Sequence, residues 1–307
     1  MNRILKILKN RQAAKSRKEQ SAGDTTKSNK FIVELDYPPS RDFRPRWGNT
    51  HPSHEGLTGL FGNNWDEYNK ILNGVGELRS FLLKISRDFP NEIPGEPGWL
   101  GGAINAIDAA LLYYFVASRN PKRYLEIGSG LTTLFAARAK RDHGLQTRII
   151  SIDPQPRTEV DNICDEVIRA GLETADLSVF ESLEEGDIVF MDGSHRSFMN
   201  SDVTVFMLDV LPFLKPGVII HVHDIHLPYD YPEMFRDWYW NEQYILAAYL
   251  LGARDRVKIL MPSRYVSNTP ELLRAFGPIL TVWDGPPEVW KWGGGIWFTH
   301  SKEGSRN

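Results

Sequence analysis

Cysteine and long hydrophobic runs are scarce in this chain of 307 residues. Cys164 is its single cysteine, which excludes an intramolecular disulfide framework and a CxxC metal site and fits a reducing compartment. No apolar run approaches the roughly 20 residues that span a bilayer, and the apolar stretch at residues 4–8 is too short for the core of a signal peptide. We therefore expect a cytoplasmic protein.

Positive charge is concentrated at the start of the chain. Residues 1–30 contain nine Lys and Arg against Glu19 and Asp24, a balance of +7, and the rest carries 27 Lys and Arg against 37 Asp and Glu, or −10. The acidic remainder argues against a nucleic-acid substrate, since such enzymes present a basic face to phosphates. We predict that residues 1–30 form a basic, disordered arm. Contact of residues 1–18 with an anionic membrane surface, peripheral to the cytoplasm, stays open as the alternative.

A third glycine is absent from the most informative motif of the chain. Residues 123–133, RYLEIGSGLTT, lead from an apolar segment through Gly128 and Gly130, and Asp153 ends the next apolar segment twenty-three residues after Gly130. Glycines let a ligand approach the backbone closely, and a carboxylate at a strand tip can accept both hydroxyls of a ribose. A dinucleotide fold would place a third glycine at Thr133. The pattern therefore disfavours a nicotinamide dehydrogenase.

Alternating apolar segments predict an α/β fold from residue 121 onward. Strands are expected at Tyr124–Ile127, Arg148–Ile152, Leu177–Phe180, Asp187–Met191, Val218–Val222, Val257–Met261 and Gly295–His300. Apolar residues at helical spacing predict helices, one of them through Val160, Ile163, Cys164, Val167 and Ile168 up to Gly171. Other helices are expected over residues 64–88, 102–118, 202–214, 232–252 and 270–276. The pattern predicts a doubly wound, Rossmann-like, seven-stranded, mostly parallel sheet with a helical N-terminal extension.

Carboxylates and imidazoles follow two of the expected strands. Asp192 and His195 come after the fourth strand, and the fifth ends in HVHDIH, which contains His223 and Asp224. If these strands are neighbours, their axes lie about 4.8 Å apart. We therefore expect Asp192 and Asp224 to lie side by side in one crevice, with His195 and His223 or His226 nearby.

Four segments together resemble one enzyme family. They are LEIGSG at 125–130, SIDP at 151–154, DGSH at 192–195 and HDI at 223–225. Their order is similar to that in bacterial class I S-adenosylmethionine (SAM)-dependent methyltransferases of the family 24 type, over about residues 95–265. The resemblance implies that SAM is the cofactor and that Asp153 holds its ribose hydroxyls. It also implies a methionine end lined by Glu126, Gly128, Ser129 and Gly130, and an adenine or methyl-transfer side near Glu181, Ser182 and Asp192.

The leading hypothesis for the reaction is O-methylation of a sugar or small hydroxylated metabolite, although the acceptors of the family are mostly undefined. Such a hydroxyl must lose a proton, and a His with a pKa near about 6.5 is the usual agent. We nominate His195 as the general base, with His223 as second choice, and Asp192 and Asp224 as the groups that orient base and acceptor. A non-catalytic SAM-fold protein that serves as a binding or scaffold partner is the alternative. The acceptor's identity and the oligomeric state do not follow from the sequence.

A divalent metal site at Asp192 and Asp224 is a second, less favoured interpretation. More distant catechol-type methyltransferases carry an Asp after the fourth strand and an Asp-Asn or Asp-Asp pair after the fifth. Asp192 and Asp224 match the first two ligands, but the third position is Ile225, which cannot coordinate a metal. His195 or His223 would have to substitute, although Mg²⁺ prefers oxygen. We therefore predict no metal, with Asp192 and Asp224 as its ligands if one is bound.

Three regions complete the predicted organisation: the arm at 1–30, an N-terminal arm and helices that pack on the core at 31–120, and the SAM-binding domain at 121–300. Residues 226–294 are expected to contribute the acceptor side and a lid. Aromatic residues would wall the acceptor site, or pack in the core: Trp238, Tyr239, Trp240, Tyr244, Trp283, Trp290 and Trp292.

Overall fold

Seven strands form one sheet in the computed structural model, which describes residues 44–48, 50–274 and 292–301. The strands are β1 (Arg123–Ile127), β2 (Arg148–Ile152), β3 (Glu166–Ile168), β4 (Ile188–Met191), β5 (Ile219–His223), β6 (Val257–Pro262) and β7 (Gly295–His300). Their order is β3-β2-β1-β4-β5-β7-β6. Neighbours among β1 to β5 are parallel, and β7 runs antiparallel to β5 and β6. The predicted Rossmann-like, mostly parallel sheet is confirmed.

Nine α-helices in the described part of the chain accompany the sheet. They are α1 (Glu55–Gly62), α2 (Trp65–Glu77), α3 (Arg79–Leu82), α4 (Ala106–Arg119), α5 (Leu131–Asp142), α6 (Ser178–Glu181), α7 (Asp202–Val205), α8 (Glu242–Gly252) and α9 (Ser263–Ser267). A π turn (Phe206–Val210) and a 3-10 turn (Leu211–Phe213) extend α7, and residues 270–274 are helical as well. None of these helices is long and apolar enough to cross a membrane.

The hydrophobic core explains why the central elements could be predicted. All four residues of β4 are buried, as expected for a strand covered on both faces. Helix α4 is apolar on most of its surface and packs against the sheet, where Phe115 stacks on Trp297 of β7 with ring centroids 4.2 Å apart. This packing anchors α4 to the sheet at β7.

The third strand and the helix before it were predicted wrongly. The expected helix through Val160 to Ile168 is a 3-10 turn (Asp161–Ile163) followed by β3, in which Val167 and Ile168 pair with β2. β-branched residues fit a strand as well as a helical spacing, and the backbone bonds to β2 decide between them. The expected strand Leu177–Phe180 is instead mostly helix α6, beginning where the Asp176 side chain accepts a bond from the Ser178 amide at 3.0 Å.

The long helix predicted over residues 232–252 is broken in two. A 3-10 helix (Glu233–Trp238) ends at Tyr239, whose φ of 54° is left-handed, and α8 begins three residues later. The break follows from contacts with the loop after β4: the Asn241 amide donates to the His195 carbonyl at 3.0 Å, and its side chain accepts from Ser197 at 2.8 Å. Residues 1–30 lie outside the described residues, as do residues 275–291 of the predicted acceptor side and lid, which include Trp283 and Trp290.

Candidate active site

The glycine loop between β1 and α5 has two glycines with different tasks. Gly128 has a φ of +80°, and a Cβ atom built there would lie 1.8 Å from the backbone oxygen of Asp192. Its amide donates to the Ile152 carbonyl at 3.0 Å. Gly130 is extended, and a Cβ atom there would meet nothing within 4 Å. Gly128 therefore lets β1 approach the loop after β4, whereas Gly130 leaves open space at the N-terminus of α5.

Asp153 fixes this loop to the tip of β2. One carboxylate oxygen accepts from the Ser129 amide and the other from the Gln155 amide, both at 2.7 Å. The Ser129 hydroxyl lies 2.6 Å from the Ser151 hydroxyl, which adds a second tie between loop and strand. Each carboxylate oxygen can accept more than one bond, so Asp153 retains acceptor capacity for a ligand.

Glu126 lies beneath the loop and is fully buried. The Thr133 hydroxyl donates to its carboxylate at 2.5 Å and accepts from the Gly130 amide at 2.9 Å. Thr133, at the position of the missing third glycine, thus connects the acid to the loop. Burial raises the pKa of Glu126 to about 8, against the hydroxyls of Thr132 and Thr133, which lower it.

The predicted His-Asp cluster forms at the carboxyl ends of β4 and β5. His195 Nε2 lies 3.6 Å from Asp192 Oδ1 and 3.4 Å from Asp224 Oδ2. His223 Nδ1 lies 3.7 Å from Asp192 Oδ1 and 3.6 Å from Asp224 Oδ1. His195 and Asp224 have left-handed φ values of 62° and 53°, which are uncommon outside glycine and concentrate at functional sites. The structure therefore brings all four predicted catalytic residues together.

Glu242 belongs to this cluster and was missed in the sequence. It lies in the first turn of α8, is completely buried, and its Oε1 atom accepts a bond from His195 Nδ1 at 2.5 Å. Acidic residues are common in the first turn of a helix, so the sequence around Glu242 did not distinguish it as a site residue. Its role depends on the fold, because 47 residues separate it from His195.

The match to known proteins falls on these residues. Residues 125–225, from β1 to just beyond β5, match a family model described as a methyltransferase domain. This region is a methyltransferase domain. The resemblance to family 24 is therefore confirmed, and the chain is an enzyme of the methyltransferase class. No curated protein matched the chain significantly.

Solved structures similar to the chain are distant in sequence. A cofactor-bound structure of Rv0187 from MTB is 14% identical over 75% of this chain and 89% of its own, with a TM-score of 0.40. SAH-bound PaMTH1, a methyltransferase of Podospora anserina, is 16% identical over 84% and 100%, with a TM-score of 0.41. The plantazolicin methyltransferase BpumL in complex with SAH is 13% identical over 76% and 100%, with a TM-score of 0.40.

Charge in the methyltransferase domain is concentrated around His195. Burial lowers the pKa of His195, but the carboxylates of Glu242, Asp192 and Asp224 outweigh burial and raise that pKa to about 9. Burial alone would raise the pKa of Asp224, and the neighbouring His223 brings it down to about 2. The same two aspartates raise the pKa of buried His223 well above its usual value, so His195 and His223 both carry positive charge beside the carboxylates.

His221 and His226 differ from the two cluster histidines. Burial, with the charge of His223, holds the pKa of His221 well below its usual value, and its ring stacks on Phe190 at 4.2 Å inside the sheet. His221 is therefore a neutral core residue of the methyltransferase domain. His226 is buried as well and is not a surface loop residue.

Three residues of the cluster have the spacing of a metal site. One ligand atom each from Asp192, His223 and Asp224 lies within 4.8 Å of the others, the only such group in the described part of the chain. Ile225, at the expected third position, is buried and takes no part. The donor set of two carboxylates and an imidazole suits a divalent cation, with His223 in place of the missing oxygen ligand.

Glu181 and Ser182 are not brought to the methyltransferase crevice. Lys215, which precedes β5, donates to the Glu181 carbonyl at 2.8 Å, so Glu181 lies toward the amino ends of the strands. The Ser182 hydroxyl donates to the Val179 carbonyl within the same turn. The family resemblance implied their nomination, but the strand expected just before them, Leu177–Phe180, is mostly helix α6. The chain that leaves β3 begins at Arg169.

The predicted aromatic wall is partly realised beside the methyltransferase cluster. Trp240 packs against His195 with ring centroids 4.1 Å apart, and Trp238 and Tyr239 remain 43% and 49% exposed. Tyr244 contacts the ring of Tyr231 instead. Trp240 therefore covers one side of the His195 ring.

Replacing Glu126 with glutamine should change how stability depends on pH. The folded-state pKa is raised from 4.5 to about 8, so between these values the unfolded chain binds fewer protons and stability falls as pH rises. Glu126→Gln has no proton to lose. From about pH 5 to about pH 8 its free energy of unfolding should fall less than that of the wild type, by on the order of 3 kcal/mol. Urea unfolding at both pH values measures this, and equal falls would show an ionised carboxylate in the folded wild type.

Proposed function

We propose that this enzyme transfers a methyl group from SAM to a hydroxyl oxygen of a sugar or small hydroxylated metabolite, with His195 as general base. One observation carries the proposal: the glycine loop touches the start of the His-Asp cluster. Gly128 approaches the Asp192 backbone so closely that no Cβ atom fits between them. A cofactor on the loop and an acceptor on the cluster would therefore be neighbours, as an in-line displacement requires.

The residues at the loop suit SAM. Bound SAM would supply an electrophilic methyl group on a sulfonium. The open space at Gly130 admits a ligand against the backbone, and Asp153, at the tip of β2, has acceptor capacity for two ribose hydroxyls. Glu126, Ser129 and Thr133 hold the loop in shape from below.

His195 would remove the proton of the acceptor hydroxyl. Its Nδ1–H donates to Glu242, which places Nε2 toward Asp192 and Asp224 in the crevice. The hydroxyl proton passes to Nε2 as the oxygen attacks, and the buried carboxylate of Glu242 stabilises the resulting imidazolium. Asp192 and Asp224 orient the hydroxyl by accepting from it or from its neighbours.

A metal-assisted methyl transfer is the second candidate. The close approach of ligand atoms from Asp192, His223 and Asp224 supports it. A divalent cation there would lower the pKa of an acceptor hydroxyl, and its charge would replace that of protonated His195. In this candidate His195 stays neutral at lower pH and still receives the proton.

Calorimetric titration with SAM and with S-adenosylhomocysteine tests the cofactor. We expect the wild type to bind both, and Asp153→Ala to bind about 10- to 100-fold more weakly, because charge-assisted hydrogen bonds to the ribose are lost. Asp209→Ala, which removes an exposed carboxylate from the turn after α7, should bind as the wild type does. A folded wild type that binds neither compound would contradict the proposal and favour the non-catalytic scaffold.

A further inference from the structure

Arg264 on α9 is a cation without a counterion. Its Nε and Nη1 atoms are buried and have no hydrogen-bond partner, and no carboxylate among the described residues forms an ion pair with it. A buried charge is costly unless it is paired and hydrogen-bonded. Arginine atoms buried in this way are nearly always paired, and the described residues supply no partner for these two atoms.

The surroundings of Arg264 do not neutralise it. The Trp292 ring centroid lies 4.9 Å from its Cζ atom, a cation–π contact that satisfies none of its N–H donors. Asp108 and Tyr229 act on its charge from a distance, but neither accepts a hydrogen bond from it. Asp108 Oδ2 instead accepts from the Gly294 amide at 2.6 Å.

Arg264 stands next to the proposed acceptor crevice. Its helix neighbours Ser263 and Ser267 bind the amides of Gly295 and Gly293, at 2.9 and 3.0 Å. A Cβ atom on the intervening Gly294 would lie 3.9 Å from Asp224 Oδ1. The glycine segment 293–295 therefore connects the helix that carries Arg264 to the His-Asp cluster.

His226 provides a second polar group near Arg264, since the charge of Arg264 acts on it. It follows Asp224 by two residues, and its Nδ1 atom is also buried and has no partner in the described part of the chain. An imidazole nitrogen without a partner can take part in a hydrogen bond to a ligand.

We propose that Arg264, assisted by His226, binds an oxyanion group of the methyl acceptor, either a carboxylate or a phosphate. The planar guanidinium matches both groups and binds them bidentately. This inference rests on the proposed function and narrows it: the acceptor is an acidic hydroxylated compound, held by its charge at Arg264 while a hydroxyl reaches His195. A neutral sugar lacks the group that Arg264 requires.

Calorimetry with simple anions tests the site in the presence of S-adenosylhomocysteine and EDTA, at constant ionic strength. Inorganic phosphate and acetate are titrated separately into the wild type, Arg264→Gln and Arg274→Gln. Arg274 is the matched control, because its side chain is 77% exposed. We expect saturable binding of one anion to the wild type and to Arg274→Gln, and at least tenfold weaker binding to Arg264→Gln. The anion that binds identifies the group, and identical titrations of all three proteins would overturn the proposal.

Thermal unfolding without added anion provides a second measurement. Because Arg264→Gln removes an unpaired buried charge, its Tm should equal or exceed that of the wild type. A clearly lower Tm would mean that Arg264 serves the fold, and would overturn the proposal. Titration with SAM distinguishes failure of the oxyanion site from failure of the proposed function. A protein that binds SAM but no anion contradicts only the oxyanion site.

Discussion

Replacing Gly128 with alanine is expected to abolish SAM binding and to destabilise the fold by about 3 kcal/mol or more. The new Cβ atom would lie 1.8 Å from the backbone oxygen of Asp192, and backbone cannot move aside as a side-chain tip can. The left-handed φ of +80° adds a penalty of about 1–2 kcal/mol. Both effects push β1 away from the loop that carries Asp192.

Gly130→Ala is the matched control for this substitution. Its backbone is extended and its Cβ atom would enter open space, so stability should change by less than about 1 kcal/mol. If that space is where SAM lies, the methyl group should weaken SAM binding while leaving urea unfolding unchanged. Equal stability of Gly128→Ala and Gly130→Ala would contradict the close approach of the two loops, and unchanged SAM affinity in Gly130→Ala would place the cofactor elsewhere.

The parts of the fold that could be predicted are those in which local pattern and tertiary structure agree. β2 and β7 have the predicted bounds, β1, β4 and β6 differ from theirs by one residue at one end, and β5 is shifted by one residue at both ends. Continuous apolar runs of four or five residues have few alternatives to a buried strand. The position of the crevice could be predicted from the strands, because the carboxyl ends of neighbouring parallel strands meet at one edge of the sheet.

The parts that could not be predicted depend on partners distant in sequence. Val167 and Ile168 fit a helix and a strand equally well, and only pairing with β2 selects the strand. Glu242 gains its role from His195, and the helix break at Tyr239 from the loop after β4. The case of Arg264 is similar, because only the folded structure shows that its Nε and Nη1 atoms are buried without a hydrogen-bond partner among the described residues.

Replacing His195 with asparagine should lower the rate of methyl transfer by about 10²- to 10⁴-fold, the usual contribution of a general base. SAM binding should be unchanged, because the contacts that hold the glycine loop come from Asp153 and Thr133. The measurement is release of S-adenosylhomocysteine with an acceptor chosen by screening hydroxylated acids. His51→Asn, a change at an exposed histidine, is the control and should keep wild-type activity. A loss of less than tenfold in His195→Asn would exclude His195 as the base.

The pH dependence of methyl transfer distinguishes general-base catalysis by His195 alone from metal-assisted transfer. In EDTA, neutral His195 is formed only as pH approaches its raised pKa of about 9, so kcat/KM of the wild type should rise with pH up to that value. Glu242→Gln removes one of the carboxylates that raise this pKa, so its ascending limb should shift to lower pH while its maximal rate falls. His195→Asn should show no such limb. The metal-assisted reaction predicts a different result: EDTA abolishes activity, and Mg²⁺ restores it with the ascending limb of kcat/KM at lower pH. That result would mean that a cation held by Asp192, His223 and Asp224 replaces the charge of His195.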